Sequence, residues 1–468
     1  MRFALTDTIA AIATPAGTSA LAVIRVSGAN AIPLVSTVFS QKGKLQNAEG
    51  YQAVHGYIVD DEEVLDEVIC LVYRHPHSYT GEDMVEISCH GNPDLTNRIL
   101  QLLLKACRAA EPGEFTFRAF MNNKLDLAQA EAVNDLIHAQ TSKAELAALN
   151  QLKGNLSKEI SGLIDELTDC RIRFELSIDF ADQDLPELDL KAVKFKMQQL
   201  RQRLQEIHHN GSQGKILRDG FSICLSGAPN VGKSSLFNRF LQENRAIVTP
   251  IPGTTRDYLE EWLSLEGYPV RLLDTAGLRD SSDPVEKIGI GRTRELMQAA
   301  DLIIMITDPD TLDIECCHPD RLYADKTICI LNKIDLLGFE ALPDASDWQE
   351  YLQGSRFAAK IPHSINLIPC SAILPEGSSE LKKQILKSIS LPDLQPASIL
   401  VTNTRHLSAI QRSLASLDKA LDSIESAAGY EFIAFDLIES VSALSEITGA
   451  VTTDDMLERI FSSFCIGK

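Results

Sequence analysis

The sequence predicts a multidomain fold with an α+β part at the N-terminus, an all-α helical part, and an α/β part inserted into the helical one. Three observations support this prediction. A glycine-rich loop lies between an apolar run and a helical pattern in the middle of the chain, apolar residues at helical spacing flank that region on both sides, and short β-like runs occupy the beginning. We predict an N-terminal domain at 1–120, a first helical segment at 121–214, the α/β domain at 215–385 and a second helical segment at 386–468.

The composition is that of a folded protein with a large negative charge. Of the 468 residues, 44% are hydrophobic and 23% are charged, close to the averages for globular chains. The formal net charge of -21 means that any bound nucleic acid would need a local basic patch or a basic partner. No apolar stretch is long enough for a membrane span, and the first residues are too polar for a secretory signal. We therefore expect a cytoplasmic protein with no membrane association.

The N-terminal segment contains short β-like runs. "LAVIRVSG" and "EVICLVYRH" are rich in β-branched residues, and "GEDMVEISCHGNP" alternates polar and apolar residues up to a Gly-Asn-Pro turn. This pattern predicts a separate α+β domain. Cys89 and His90 invite a catalytic interpretation, but the sequence shows no spaced partner for them. We interpret them as strand and turn residues.

Two apolar stripes at helical spacing lie on either side of the central region. Each alone would leave an apolar band in water, at a cost of about 25 cal/mol per Å². The two stripes are therefore expected to pack together in one helical bundle, into which the central domain is inserted. The first consists of Leu149, Leu152, Leu156, Ile160, Leu163 and Leu167, and the second of Leu407, Ile410, Leu414, Leu417, Leu421 and Ile424.

The central domain begins with a phosphate-binding motif. In "FSICLSGAPNVGKSSLFNRFL", the apolar run predicts a buried strand, Gly227 to Ser234 match the GxxxxGK[ST] pattern, and a helix follows. Glycines let backbone N–H groups surround phosphates, Lys233 supplies a cation for the outer phosphates, and Ser234 offers a hydroxyl to Mg²⁺. The sequence therefore predicts a nucleotide-binding loop.

Three later motifs indicate that the nucleotide is a guanine nucleotide. "LLDTAG" places Asp274 where it can hold Mg²⁺ through water, and Gly277 where its N–H can meet a terminal phosphate. "ILNKIDLL" supplies Asn332, Lys333 and Asp335 after another apolar strand. A carboxylate at this position can accept both the ring N–H and the exocyclic amine of guanine, a donor pair that adenine lacks. "IPCSA" then resembles the loop that closes over the base. The motif order predicts an inserted Ras-like P-loop α/β G domain.

The sequence lacks the glutamine that orients the attacking water in Ras-like switches, since Leu278 follows the DTAG motif. In "IVTPIPGTTRD", a threonine can complete the Mg²⁺ shell while neighbouring carbonyls face the phosphates. A monovalent cation held by Asn230 and those carbonyls could occupy the place of an arginine finger, and Glu286 could steer water through a second water. The alternatives are that Asn230 only caps a turn and that Glu286 is a solvated surface charge.

Nearly end to end, the chain resembles the tRNA modification GTPase MnmE (TrmE) family. The resemblance rests on "EPGEFTFRAFMNNKLDLAQAEAV", "GAPNVGKSSL", "PGTTRD", "DTAGLRD" and the final "ERIFSSFCIGK". Two departures are Glu111, where many relatives have arginine, and Gly291, where relatives often have glutamate. Neither residue is among those assigned a functional role below.

The resemblance implies a G domain that dimerises across its nucleotide face when potassium is present. It implies Glu286 as the catalytic glutamate, Ser234 and Thr255 as Mg²⁺ ligands, and K⁺ ligands at Asn230, Thr249, Ile251 and Thr254. The residues expected to bind GTP are Asn230, Val231, Gly232, Lys233, Ser234, Ser235, Thr249, Pro250, Ile251, Pro252, Gly253, Thr254, Thr255, Asp274, Thr275, Ala276, Gly277, Asn332, Lys333, Asp335, Ser371 and Ala372.

The resemblance also implies a folate site in an N-terminal domain that makes the protein a homodimer. The residues that match family positions contacting 5-formyl- or 5,10-methylene-tetrahydrofolate are Arg25, Glu86, Lys124 and Lys468. The tail would then fold back onto the N-terminal domain and place Cys465 beside the one-carbon unit, where its thiolate could act as a catalyst. The alternative is that this cysteine only shapes the pocket.

The family works with the flavoprotein MnmG, which binds FAD and NADH, in a heterotetramer or larger complex. Together they attach an aminomethyl or carboxymethylaminomethyl group to carbon 5 of the wobble uridine in certain tRNAs. A second hypothesis is a regulatory or ribosome-assembly GTPase whose outer domains only recognise partners. Such proteins usually carry an RNA-binding KH module with a GXXG loop, which the sequence does not show outside the phosphate loop region. The first hypothesis is favoured.

Overall fold

The structure is a computed structural model that describes residues 6–179, 188–244, 260–274, 295–312, 321–355, 366–389 and 400–468. The chain forms two compact units. The first contains Met1–Asn134, Asn150–Arg203 and Ala409–Lys468, and the second contains Asp135–Leu149 and Leu204–Ser408. The fold is multidomain, as predicted, with an α+β N-terminal domain, a helical domain and a P-loop α/β G domain.

The N-terminal domain is built on a six-stranded sheet. Its strands are β1 (Ile9–Ile12), β2 (Ser19–Ser27), β3 (Gln52–Asp60), β4 (Glu63–Tyr73), β5 (Met84–Gly91) and β6 (Arg108–Ala109). The order is β3-β4-β5-β2-β1-β6, and all pairs are antiparallel except β1 with β6. Alternation along the strands buries residues such as Ile24 and Ile87, which are both 0% exposed, on one face. The side chains of the opposite face are partly exposed and are therefore available for function.

Three helices follow strands of this sheet: α1 (Ala31–Thr37), α2 (Lys42–Gln46) and α3 (Pro93–Leu104). The start of α3 is fixed by its sequence, because the side chain of Asn92 accepts hydrogen bonds from the N–H groups of Asp94 and Leu95, and Pro93 occupies the first turn. The Gly-Asn-Pro turn predicted from the sequence is therefore the N-terminal cap of a helix.

The chain then becomes helical, with α4 (Glu114–Met121), α5 (Leu127–His138), α6 (Ser142–Leu152), α7 (Asn155–Asp179) and α8 (Leu190–Asp219). The first apolar stripe, whose helical spacing is continuous, is divided between α6 and α7. The helix breaks after Leu152 because Gly154 takes the left-handed backbone conformation, with φ of 79°. The part of the stripe in α7 is buried: Leu156, Ile160, Leu163 and Leu167.

The G domain is an α/β layer structure. Its strands are β7 (Phe221–Gly227), β8 (Glu260–Leu265), β9 (Tyr268–Asp274), β10 (Leu302–Thr307), β11 (Thr327–Leu331) and β12 (Leu367–Pro369). The order is β12-β11-β10-β7-β9-β8, parallel throughout except for β8. The described helices are α9 (Lys233–Asn244), α10 (Ala345–Gly354) and α11 (Ser379–Ile389), with 3₁₀ turns at Arg321–Lys326 and Ile334–Leu337.

The last helices are α12 (Thr404–Glu425), α13 (Tyr430–Thr448) and α14 (Asp454–Phe461). Within the first unit, α7 packs against α13, and the rings of Phe174 and Tyr430 meet edge to face with their centroids 5.5 Å apart. The second apolar stripe lies on α12, where Ile410 and Leu417 are 0% exposed. In the part of the chain that the structure describes, every helix is too short or too polar to cross a bilayer.

A buried cluster of charges fixes α4 to the sheet. Arg118 is 0% exposed, and its guanidinium donates to the backbone and side-chain oxygens of Asp7 at 2.7 Å. It also donates to the carboxylates of Glu114 at 3.0 Å and Glu82 at 3.2 Å. The hydrogen bonds compensate the cost of removing these charges from water.

Replacing the arginine of this cluster should destabilise the N-terminal domain strongly. We expect Arg118→Met to lower the free energy of unfolding by about 3 kcal/mol, because the carboxylate of Glu82 would lose this guanidinium and the buried carboxylate of Glu114 would keep only Arg108. Denaturant unfolding of the purified chain measures this effect. The exposed pair of Arg98 and Glu63 provides the control, since Arg98→Met should change stability by less than about 1 kcal/mol. Equal effects of the two substitutions would contradict the prediction.

Candidate functional site

The phosphate loop joins β7 to α9 through a backbone that only glycine can adopt. Gly227 has φ of 148°, and a side chain there would lie 2.1 Å from the carbonyl oxygen of Ile306. Gly232 has φ of 91°, and a side chain there would lie 2.3 Å from Nδ2 of Asn332. Nζ of Lys233 donates to the carbonyls of Gly227 at 3.2 Å and Ala228 at 2.7 Å. The lysine therefore lies across the loop whose N–H groups would surround a phosphate.

The base-recognition motif contacts the phosphate loop directly. Asn332 follows β11, and its Nδ2 donates to the carbonyl of Val231 at 2.8 Å. Nζ of Lys333 donates to the carbonyl of Asn230 at 2.6 Å. Because parallel strands end at one edge of the sheet, the motifs after β7 and β11 meet there. The structure thus brings the two motifs together.

The loop after β12 orients the carboxylate that the sequence predicts to recognise guanine. Ser371 is 0% exposed, and its hydroxyl donates to Oδ1 of Asp335 at 2.5 Å. The backbone carbonyl of the next residue, Ala372, accepts from Arg239 of α9 at 3.1 Å. A charged oxygen held by a fixed hydroxyl leaves the second carboxylate oxygen for a ligand. Ser234 and Ser235 lie exposed in the first turn of α9, where a hydroxyl can serve as a Mg²⁺ ligand.

Several predicted site residues lie outside the described residues. They are Thr249, Pro250, Ile251, Pro252, Gly253, Thr254, Thr255, Thr275, Ala276, Gly277 and Glu286. Leu278 also lies outside them, and the structure describes the backbone of Asp274 at the end of β9 but not its side chain. The roles assigned to these residues stay predictions.

A second candidate site lies on the open face of the N-terminal sheet. Arg25 of β2 and Glu86 of β5 are register partners, and the guanidinium donates to Oε1 of the carboxylate at 2.7 and 2.9 Å. The hydroxyl of Tyr73 donates to Oε2 at 3.1 Å. Burial together with the negative charge of Glu86 raises the pKa of Tyr73 to about 12. The phenol therefore stays a hydrogen-bond donor at neutral pH.

The C-terminal tail packs onto this site. Nη1 of Arg25 donates to the carbonyl of Gly467 at 3.2 Å, and the N–H of Phe115 donates to the carbonyl of Lys468 at 3.2 Å. Upstream of these contacts, Phe464 is 5% exposed and packs against Phe461. Burial and the neighbouring charge of Arg25 lower the pKa of Lys468. The structure thus brings Arg25, Glu86 and Lys468 together.

Two predicted members of this site are placed differently. Lys124 is exposed, and its Nζ donates to the carbonyl of Pro76 at 3.1 Å. Cys465 is exposed, while its carbonyl accepts from the N–H of Gly113 at 3.4 Å. The backbone of the tail is therefore fixed at Cys465, and its thiol is accessible.

The aromatic residues around Arg25 were not predicted from the sequence as members of this site. The guanidinium carbon lies 5.3 Å from the ring centre of Tyr79 and 5.5 Å from that of Phe115. Tyr73 was also missed. Strand alternation could have found Tyr73, since it lies on the same face of β4 as Ile69, whereas Tyr79 and Phe115 come from loops and helices that periodicity does not place.

His90 has the partner that the sequence did not reveal. Its Nδ1 lies 2.7 Å from Oδ1 of Asp66, and its backbone N–H donates to Oδ2 at 2.8 Å. The hydrogen bond with Asp66 and that residue's negative charge raise the pKa of His90. The partner lies on β4, the strand next to β5, so only the sheet register brings the two residues together.

The parallel sheet, the glycine-dependent phosphate loop and the base-recognition contacts define a P-loop GTPase, joined to an α+β domain and a helical domain. Comparisons with known proteins place it further. Models of the GTP-binding protein TrmE N-terminus and of the MnmE helical domain match residues 8–124 and 127–465. The chain belongs to the MnmE (TrmE) family of tRNA modification GTPases, as the sequence resemblance predicted, and it is an enzyme of the GTP hydrolase class.

The curated relatives match over the full length. A tRNA modification GTPase MnmE of Clostridioides difficile (strain 630) is 39% identical over 470 residues, covering 99% of each chain. That of Alkaliphilus oremlandii (strain OhILAs) is 40% identical over 475 residues, again covering 99% of each. Among solved structures, the G domain of the T. maritima FeoB iron transporter is 27% identical and covers 36% of this chain and 97% of its own. Its TM-score is 0.23, so it carries no argument about the fold.

Proposed function

We propose that this chain is a potassium-activated GTPase that modifies the wobble uridine of certain tRNAs. With the FAD- and NADH-binding protein MnmG, it would attach an aminomethyl or carboxymethylaminomethyl group to carbon 5 of the base, using the one-carbon unit of 5,10-methylene-tetrahydrofolate. The observation that carries this proposal is the packing of the tail against Arg25, whose guanidinium also pairs with Glu86, because a GTPase that only recognised partners would give this arrangement no role.

The residues of the second site fit a folate. A guanidinium and an ammonium provide donors for carboxylate and carbonyl oxygens, and the carboxylate of Glu86 provides an acceptor for ring N–H groups. Tyr79 and Phe115 add aromatic surface beside Arg25. Arg25, Glu86 and Lys468 would hold the folate, and Lys124 would join them from the neighbouring loop. When bound, the folate supplies the one-carbon unit, and the exposed thiol of Cys465 would act as a catalyst of its transfer.

The residues of the G domain fit GTP with Mg²⁺ and K⁺. Lys233 would neutralise the outer phosphates, and Ser234 with Thr255 would hold Mg²⁺. Asn230 has φ of 64° and an exposed side chain whose amide oxygen is a hard donor suited to an alkali cation. Thr249, Ile251 and Thr254 would complete the K⁺ shell, and Glu286 would position water. Because Leu278 lacks a polar atom, a bound cation would supply the charge that stabilises the transferring phosphoryl group.

Assembly completes the proposal. Two copies would dimerise through their N-terminal domains, and their G domains would meet across the nucleotide faces in the presence of K⁺. The net charge of -21 suits a division of labour in which the flavoprotein supplies much of the basic surface for tRNA.

The rate of GTP hydrolysis should depend on which alkali cation is present. We expect hydrolysis to be about tenfold faster in KCl than in NaCl at equal ionic strength, because K⁺ would take the place of a missing cationic side chain. Steady-state phosphate release measures the rates. Asn230→Ala should remove most of the difference, while Asn238→Ala, on the following helix, should leave it intact. Equal rates of the parent chain in the two salts would end the potassium proposal.

A further inference from the structure

The G domain contains a buried carboxylate that none of the expected GTPase motifs includes. Asp308 follows the end of β10 and is 3% exposed. Its Oδ1 accepts from the N–H of Thr311 at 2.8 Å and from that residue's hydroxyl at 2.5 Å. Its Oδ2 accepts from Nζ of Lys333 at 2.7 Å. Three donors thus hold both oxygens in one position.

The charge of this carboxylate is maintained by its partners. Burial raises the pKa of Asp308, but hydrogen bonds from Lys333 and Thr311 and the charge of the lysine outweigh it and hold the pKa below its usual value. The aspartate is therefore ionised at neutral pH, and its interaction with the lysine is charge-assisted.

Lys333 connects this carboxylate to the phosphate loop. Its backbone is left-handed, with φ of 59°, an unusual conformation for a residue with a side chain. The same Nζ that meets Asp308 donates to the carbonyl of Asn230 at 2.6 Å. A displacement of the Lys333 ammonium would therefore affect both the base-recognition loop and Asn230, the residue expected to bind the cation.

The residue before Lys333 is also held in a fixed position. Asn332 is 1% exposed, and its backbone N–H donates to the carbonyl of Thr307 at 2.8 Å. Among the described residues, Oδ1 of Asn332 and Oγ1 of Thr307 are buried with no hydrogen-bond partner. Buried polar atoms without partners are costly, and they are typical of sites that a ligand completes.

We propose that Asp308 is a positioning residue that couples guanine recognition to the phosphate loop by fixing the ammonium of Lys333 against the carbonyl of Asn230. This inference rests on the proposed function for the role of K⁺ at Asn230. The carboxylate would act through the lysine, without itself contacting the nucleotide or the cation. It acts by keeping the lysine extended between the base side and the phosphate side of the site.

The experiment compares Asp308→Asn with Asp310→Asn in the full-length chain. Both remove one negative charge, but Asp310 is exposed. We measure the dissociation rate of a fluorescent GDP analogue and the K⁺ concentration that gives half-maximal GTP hydrolysis. We expect Asp308→Asn to accelerate GDP release about tenfold and to raise the half-activating K⁺ concentration about threefold, as the loss of one charge-assisted hydrogen bond suggests. Asp310→Asn should match the parent in both.

Thr311→Val provides a second test if the asparagine variant folds poorly. It removes one donor to Asp308 without altering Lys333 or the net charge, so it should change both quantities in the same direction by a smaller factor. Parental values for both variants, or faster GDP release with an unchanged K⁺ requirement, would overturn the proposed coupling. The K⁺ dependence of the parent is measured first, so failure of the potassium proposal appears in the parent and failure of the coupling appears only in the variants.

Discussion

An Asp335→Asn variant is expected to lose about 10³-fold in affinity for guanine nucleotides and to gain affinity for xanthine nucleotides. The carboxylate can accept both the ring N–H and the exocyclic amine of guanine. An amide accepts the ring N–H but presents an N–H group to the amine, so two donors would face each other. Xanthine carries a carbonyl in place of that amine, and the amide satisfies both of its groups.

Ser371 makes this exchange possible without disturbing the loop. Its hydroxyl can donate to an amide oxygen as it now donates to Oδ1 of Asp335. Equilibrium titration with fluorescent GDP and XDP analogues measures the two affinities. Asp347→Asn, on the exposed surface of α10, removes the same charge and should leave both affinities at parental values. An Asp335→Asn variant that still prefers GDP would show that another group reads the base.

The G domain was predictable because its signals are local. Strands buried on both faces read as continuous apolar runs, such as "FSICL" and "LIIMI", and the glycines and lysine of the phosphate loop have a fixed spacing. The N-terminal strands were visible for the opposite reason, since one face is buried and the other is not. In both cases a short window of sequence contains the physical cause.

The features that sequence reasoning missed are made by distant residues. Lys333 and Asp308 belong to loops after different strands, and His90 and Asp66 lie on the neighbouring strands β5 and β4. Their partnership depends on strand order and register, which periodicity does not give. The helix break at Gly154 is a different failure, because the leucine spacing continues across it and the local glycine signal was overlooked.

The buried charged cluster around Arg118 could likewise not be predicted from the local sequence. The motif "EPGEFTFRAF" was used only as a mark of resemblance, yet it supplies both Glu114 and Arg118 four residues apart on one helix face. That spacing predicts a surface ion pair. Only the tertiary fold, which adds Asp7 and Glu82, converts the pair into a buried network.

The tail leads to the second large effect. Cys465 is exposed, whereas Phe464 before it is buried and Gly467 after it has φ of 92°. A side chain at Gly467 would lie 2.5 Å from the carbonyl of Ile12, so the backbone of the tail is fixed against β1. The N–H of Lys468 donates to the carbonyl of Cys465 at 3.3 Å, so the last four residues form a turn. The exposed cysteine therefore lies two residues before Gly467, whose carbonyl accepts from Arg25 of the candidate folate site.

In cells that lack this chain, complementation with Cys465→Ser should leave the wobble uridines unmodified, while the purified variant keeps the parental rate of GTP hydrolysis. A hydroxyl has the size of a thiol but is a far weaker nucleophile at neutral pH, so the fold survives and the transfer chemistry does not. Mass spectrometry of tRNA nucleosides measures the first effect. The half-buried Cys107 is the control, because a serine there can still donate to the carbonyl of Leu103. Parental modification with Cys465→Ser would show that the thiol only forms part of the pocket wall. Wobble uridines that remain modified in cells lacking the chain would exclude the tRNA-modifying function.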